Sequence, residues 1–257
     1  MRPASPRSGP RPVSVGGRRI FVDDDQPTFW DRVEAGRWEP GTLRALDACL
    51  GPDIVFVDVG AWVGALSLYA ATLGARVFAV EADPKALDQL RRNLTANPNL
   101  NRQVTVIPRA LSADGNSVRL GARRKLGDSM SSALLADTGP TWVAESMTPG
   151  SLSRHIGTGV PRVVKLDIEG GEYAVLPTIG PLLEDAIGLL LALHPDILAA
   201  SGERDVAAAT RRALGPLQGW TCARIERDGP MPARLADVPD AGPAEWLFTR
   251  DGHRSAA

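Results

Sequence analysis

The stretch IVFVDVGAWVG, residues 54–64, decides how the rest of the chain is read. Its first six residues are almost wholly apolar and β-branched, the composition of a strand buried on both faces, as in a parallel sheet. Gly60 and Gly64 then let the backbone turn tightly and let a ligand approach it closely. A helix follows to about Leu73 and is ended by Gly74. The next strand is RVFAVE, residues 76–81. Beyond it Asp83 stands as a helix N-cap with Pro84 at the first helical position. Leu87, Leu90 and Leu94 give that helix its buried stripe. Strand, glycine turn, helix and strand together make one βαβ unit.

Working outward, further strands are predicted at VTVIP (104–108), VVKLDI (163–168), GLLLALH (188–194), WTCARIE (220–226) and EWLFTR (245–250). Helical patterns at about 171–184 and 203–214 separate the later ones. Such alternation implies an α/β fold, a mostly parallel sheet with helices on both faces. Residues 112–160 are rich in Gly, Ser and Thr and too long for a simple connector, which predicts small strands and a loop over the site. The unit so defined spans residues 51–250. Ahead of it, residues 20–50 hold a short strand (IFV), three acids at Asp23 to Asp25 read as a solvated turn, and helices around Phe29–Ala35 and Thr42–Leu50. This segment is expected to act as a helical lid. Residues 1–19 contain five Arg, four Pro and no acid, and are expected to be a disordered tail.

Composition excludes several classes. The 257 residues carry 29 Lys+Arg against 30 Asp+Glu, a net charge of −1, without the clustered basic excess of a nucleic-acid binder. No apolar run approaches ~18 residues, so no membrane partner is expected. The first residues lack the apolar region of a secretory signal. Cys49 and Cys222 cannot supply a CxxC motif, a zinc quartet or a disulfide scaffold. A cytoplasmic protein is the expectation, with nothing in the pattern bearing on oligomeric state.

In open α/β sheets ligands bind beyond the carboxyl ends of the strands, at the switch in strand order. The first strand ends in Asp58, Gly60, Ala61, Trp62 and Gly64; the Trp excludes a G-x-G-x-x-G dinucleotide turn. Glu81 ends the second strand, 21 residues after Gly60, where an acid can accept hydrogen bonds from both hydroxyls of a ribose. In VVKLDIEGGE, residues 163–172, strand alternation turns Lys165, Asp167 and Glu169 to one face. Three charged groups there must pair or open onto a cleft. Lys165, one of three lysines among 26 arginines, can neutralise the carboxylates. His194 stands at another strand end, whereas His155, read as a loop residue, and His253 receive no role. Ser129, Ser131 and Ser132 form a polar loop able to meet a hydroxylated substrate. Arg123, Arg124 and Lys125 read as a solvated charge run.

The order FVDVGAWVG, AVEADPKALDQLRRNL, VIPRALSADG, GDSMSS and VVKLDIEGGEYAVL resembles the FkbM-type family of S-adenosylmethionine-dependent methyltransferases, over about Asp53 to Leu183. The resemblance implies a Rossmann-like class I sheet of seven strands, with an antiparallel strand among the last two. It also implies O-methylation, often of sugars, polyketides or other natural products, hence a small hydroxylated substrate. By the same resemblance Asp58 to Gly64 border the methionine part of the cofactor, Glu81 is the ribose acid, and Ala82 and Asp83 lie near the adenosine. Arg109 and Ala110 border adenine, and Asp167 lies nearest the transferred methyl. Trp62 walls the cofactor pocket or touches substrate. Asp167, Glu169 and His194 are the candidate general bases, and the same three could hold a divalent cation, Mg²⁺ or Mn²⁺. Two alternatives share the sheet: a nicotinamide-dependent oxidoreductase, disfavoured by the missing glycine fingerprint, and a cofactor-binding protein without turnover.

Overall fold

The computed structural model describes residues 9–23, 25–127, 131–135 and 139–250. Strands β1 (Arg11–Val15) and β2 (Arg18–Val22) pair antiparallel across Gly16 and Gly17, both at positive φ, as a tight two-residue hairpin requires. Val13, Val15, Ile20 and Val22 are buried. The expectation of disorder over residues 1–19 therefore fails from Arg11 onward. The Arg and Pro content hides a short period-2 pattern whose apolar face is enough to seat a hairpin; residues 1–8 lie outside the described residues. Helices α1 (Pro27–Glu34) and α2 (Pro40–Cys49) follow, burying Trp30 and Val33, then Leu43 and Leu46.

The βαβ unit forms as read: β3 (Val55–Val59), α3 (Ala65–Thr72), β4 (Arg76–Val80) and α4 (Pro84–Thr95), then β5 (Val104–Ile107). Residues 110–147 supply β6 (Ala110–Leu111), β7 (Val118–Ala122), β8 (Ser131–Ser132), β9 (Thr141–Ala144) and β10 (Ser146–Met147). Of these, β7, β8 and β9 make the small antiparallel sheet expected here, and β6 pairs with β10. The chain then returns to the main sheet with β11 (Arg162–Leu166), β12 (Ala186–Leu193), β13 (Thr221–Glu226), β14 (Gly229–Ala233) and β15 (Ala244–Thr249).

Among the described residues the main sheet has eight strands in the order β14-β13-β15-β12-β11-β3-β4-β5. Strands β12, β11, β3, β4 and β5 run parallel, and β15 is antiparallel to both neighbours. This is the expected seven-stranded class I arrangement with β14 added at one edge. Pro230 and Pro232 in β14 mask it from a propensity reading, yet an edge strand tolerates proline. The helix read at 171–184 is broken into Glu172–Val175, a 3₁₀ turn at Leu176–Thr178, and Gly180–Leu183, because Pro177 and Pro181 remove donors. His155 lies in the last turn of the helix Pro149–Ile156, not in a loop.

Alternation along β3 splits the core. Val55, Val57 and Val59 face Leu152, Leu176 and Leu182 on one side. Phe56 faces Leu68, Leu46 and Trp30 on the other. The hairpin is tied to α4 and the turn after it by polar side chains: Asn93 Oδ1 and Asn97 Oδ1 accept from the backbone of Asp23 and Phe21 at 2.8 and 2.9 Å. Arg92 donates to Asp23, Asp25 and Asp88. Two of the three acids read as a solvated turn are thus an anchor; Asp24 lies outside the described residues. No described helix is long and apolar enough to cross a membrane.

Candidate active site

The chain leaves β3 toward β4, while β11 lies on the other side of β3, so the switch point falls between the carboxyl ends of β3 and β11. Here the backbones nearly touch. Gly60 has φ +83°, and a Cβ on it would lie 1.8 Å from the Asp167 carbonyl oxygen, so only glycine fits. Of the fourteen residues marked from sequence as cofactor or catalytic candidates, all but Gly64 line one cavity of about 710 Å³. Gly64 serves packing instead: at φ +84°, a Cβ on it would sit 2.3 Å from Leu90 Cδ1 of α4.

Glu81 is held by the turn it faces. Its Oε2 accepts from Trp62 N, and its Oε1 from Ala82 N and Asp83 N, each at 2.7 Å. Burial pushes its carboxyl up to about 7 against these three donors. Asp83 caps α4 as read, Oδ1 accepting from Lys85 N and Ala86 N. Its Oδ2 accepts from Gly127 N at 2.7 Å and Ser131 Oγ at 3.1 Å. Ser131 thus spends its hydroxyl on α4's cap, and Ser129 lies outside the described residues. Trp62, with φ 48°, donates its indole N–H to Gly127 O at 3.0 Å and packs edge-on against Phe29 with centroids 4.5 Å apart. It lines the cavity. Asp58 is buried; Oδ2 accepts from Ser67 Oγ at 2.6 Å, while Oδ1 has no partner.

Strand β11 ends at Leu166, one residue before Asp167. Lys165 Nζ donates to Asp167 Oδ2 at 2.9 Å. Burial disfavours the ammonium, but Asp167, Asp58 and Glu39 outweigh it and hold Lys165 above its ordinary range. Burial likewise opposes ionised Asp167, which Lys165 and His194 nonetheless keep below the usual carboxylate range. Glu169 has φ 54° and Gly170 φ 95°, a turn that aims Glu169 into the cavity at a strain of roughly 1–3 kcal/mol. Burial raises Glu169 to about 7 against the pull of His194, and its buried Oε2 has no hydrogen-bond partner. From the end of β12, His194 Nε2 lies 3.5 Å from Glu169 Oε2 and 3.7 Å from Asp167 Oδ1.

Sequence reasoning passed over what orients that imidazole. Glu172, fully buried, pairs its Oε1 with His194 Nδ1 at 2.7 Å, and its Oε2 accepts from Gly170 N at 2.8 Å. Burial works against a charged His194, but the Glu172 hydrogen bond and the nearby carboxylates raise it to about 9. Glu39 and Glu245 were also missed, and both line the cavity. Glu39, at φ 42°, is raised well above its ordinary value by burial and by Glu245, which accepts from Thr42. Glu245 sits opposite Ala192 in the β12–β15 register; antiparallel register is the signal that locates it, and the residue pattern alone does not carry it.

A Rossmann-like sheet of this order, with an acid at the second strand end and charged groups at the fourth and fifth, defines a class I methyltransferase, whose methyl donor is S-adenosylmethionine. The model of the methyltransferase FkbM domain matches residues 58–205, and the chain belongs to that family. This removes the oxidoreductase alternative. The hexuronic acid methyltransferase AglP of Haloferax volcanii is 29% identical over 185 residues, 69% of this chain and 71% of that one. A probable histone-arginine methyltransferase CARM1 of Oryza sativa is 52% identical over only 54 residues, so the match spans 21% of this chain and about a tenth of the rice protein. Among solved structures, a SAM-dependent methyltransferase from Agrobacterium tumefaciens aligns with TM-score 0.47 at 14% identity, covering 97% of this chain and 72% of that one.

Proposed function

We propose that this protein transfers the methyl group of S-adenosylmethionine to a hydroxyl of a sugar or natural-product small molecule. The observation that carries the reading is the unpartnered Glu169 oxygen, set beside Asp167 and His194 in the same cavity as Glu81. Glu81 holds the ribose, and Asp58, with its free buried oxygen, receives the cofactor's amino group. Methyl transfer is an in-line displacement: the acceptor oxygen attacks the methyl carbon, the carbon–sulfur bond breaks, and the pair of electrons stays on sulfur. The protein supplies orientation, worth up to ~7–11 kcal/mol. The hydroxyl proton must leave. Asp167 is engaged by Lys165, and His194, raised to about 9 by Glu172 and the nearby carboxylates, already carries its proton at neutral pH, which leaves Glu169 as the base. A positioned base contributes ~10²–10⁴ in rate.

Support for a sugar acceptor comes from the activity by which the Haloferax relative is named and from Phe29, Trp38 and Trp62, which line the cavity. The cavity's acid excess disfavours a phosphodiester and favours a small-molecule acceptor. Calorimetric titration with S-adenosylmethionine tests the cofactor: binding is expected in the wild type and lost in Glu81→Ala. Hydroxylated acceptors are then screened for release of S-adenosylhomocysteine, with Glu169→Gln expected to lose turnover while binding the cofactor. A folded wild type that does not bind S-adenosylmethionine overturns the reading.

A further inference from the structure

The carboxylates deep in the cavity outnumber its cations. Glu39, Asp58, Glu81, Asp83, Asp167, Glu169 and Glu245 line it with Arg32, Arg109, Lys165 and His194, and the Lys165 ammonium already lies on Asp167 Oδ2. Three ligand atoms converge at the ends of β11 and β12. One oxygen each from Asp167 and Glu169 and one nitrogen of His194 all lie within 4.8 Å of one another. Neighbouring ligands on an octahedral cation with bonds near 2.1 Å lie about 3 Å apart, so side-chain rotations must close the 3.5 and 3.7 Å separations at His194 and one of no more than 4.8 Å between the two carboxylates. The two features that make this more than an acidic cluster are independent of each other. His194 has its Nδ1 taken by the fully buried Glu172, which turns Nε2 toward both carboxylates, the outer-shell carboxylate–histidine arrangement of metal sites. Glu169 Oε2 is buried, lacks any hydrogen-bond partner, and is carried there by a left-handed residue that a solvated side chain would not need.

We propose that Asp167, Glu169 and His194 bind a divalent first-row cation of the Mn²⁺ type on one face, leaving the opposite face open to the acceptor. Two carboxylates and one imidazole suit such an ion better than the all-oxygen shell preferred by Mg²⁺ or the thiolates preferred by soft metals. The role at this site rests on the methyltransfer reading above. The acceptor hydroxyl takes an open position on the ion and becomes more acidic. With Oε2 on the ion, the hydroxyl proton passes to Glu169 Oε1, so the residue assigned above remains the base while the accepting atom changes.

The test uses the full chain and Mn²⁺ alone. Loss of the free Mn²⁺ electron paramagnetic resonance signal should saturate at one ion per chain, and spin-echo modulation should show one coupled imidazole nitrogen. Glu169→Gln should abolish the site, and Glu172→Gln should weaken it about 10–100-fold, with folding of each variant checked by circular dichroism. Glu81→Ala should bind Mn²⁺ as the wild type does while losing S-adenosylmethionine, which separates failure of the metal site from failure of the methyltransferase reading. Absence of a saturable ion, or a bound ion without imidazole coupling in the wild type, overturns the proposal even if no variant folds.

Discussion

In Glu81, the proposed ribose acid, burial and hydrogen bonding pull one carboxyl in opposite directions. Three backbone donors favour its charge, but burial wins and lifts it to about 7, with Asp83 adding to the rise. A carboxyl raised in the folded state binds its proton more tightly there than in the unfolded chain. Its stabilisation is therefore complete below its ordinary value and is lost as pH rises through about 7. Ribose hydroxyls need an ionised acceptor, so cofactor affinity should run the opposite way. Between pH 8 and pH 6 the dissociation constant for S-adenosylmethionine should rise about tenfold. Calorimetry across that range should show the rise in the wild type and a flat, weaker profile in Glu81→Gln. A profile equally steep in the variant would assign the titration to another group. Gly60 makes the complementary case, in which the absence of a side chain is the requirement. With φ +83° and Asp167's carbonyl 1.8 Å from any added Cβ, Gly60→Ala should shift β3 away from β11. Cofactor binding should then fall more than a helix-propensity argument would allow.

Elements meet the site mainly at their ends, and Asp83 joins two of them. One oxygen caps α4, while the other holds Gly127 of the β7–β8 connection and Ser131 of β8. Asp83→Ala should cost about 1–3 kcal/mol in urea unfolding, more than a cap alone, because buried donors lose their partner. Asp83→Asn should recover the cap but not the full tie to the loop. The sequence reading reached this cap, the strands around it and the strand-end residues, because buried parallel strands are continuous apolar runs and their carboxyl ends are where polar residues must appear. It missed the β1–β2 hairpin and β14, where Arg and Pro dominate the composition and only alternate residues are buried. Lys165, Asp167, Glu169 and His194, read from sequence as strand-end candidates, line one cavity. Glu172, Glu39 and Glu245 escaped because their positions depend on a broken helix, a left-handed residue and an antiparallel register. None of these has a local sequence period.

At the scale of the whole molecule, the N-terminal segment is a wall of the cavity as well as a cover for the core. Gln26, Phe29, Trp38 and Glu39 line the same space as the strand ends, while Trp30 and the hairpin valines are sealed against α3 and α4. The lid expected over residues 20–50 is thus packed in place along one side, its aromatic residues in contact: Phe29 touches Trp30, Trp38 and Trp62. Its attachment is divided between apolar burial, which salt does not weaken, and the Arg92 hub with Asp23, Asp25 and Asp88, which salt screens. Each of these pairs is partly exposed and worth only ~0–1 kcal/mol. Their sum should therefore be small and distinctive in its ionic-strength dependence. Arg92→Ala should lower the melting temperature by a few degrees at low salt, and the gap from wild type should close by 1 M salt. If the segment also sets cavity shape, the variant should weaken S-adenosylmethionine binding at low salt in the same proportion. Unchanged affinity alongside a lower melting temperature would mean that apolar packing of Trp30 and the hairpin alone holds the wall in register with the strand ends.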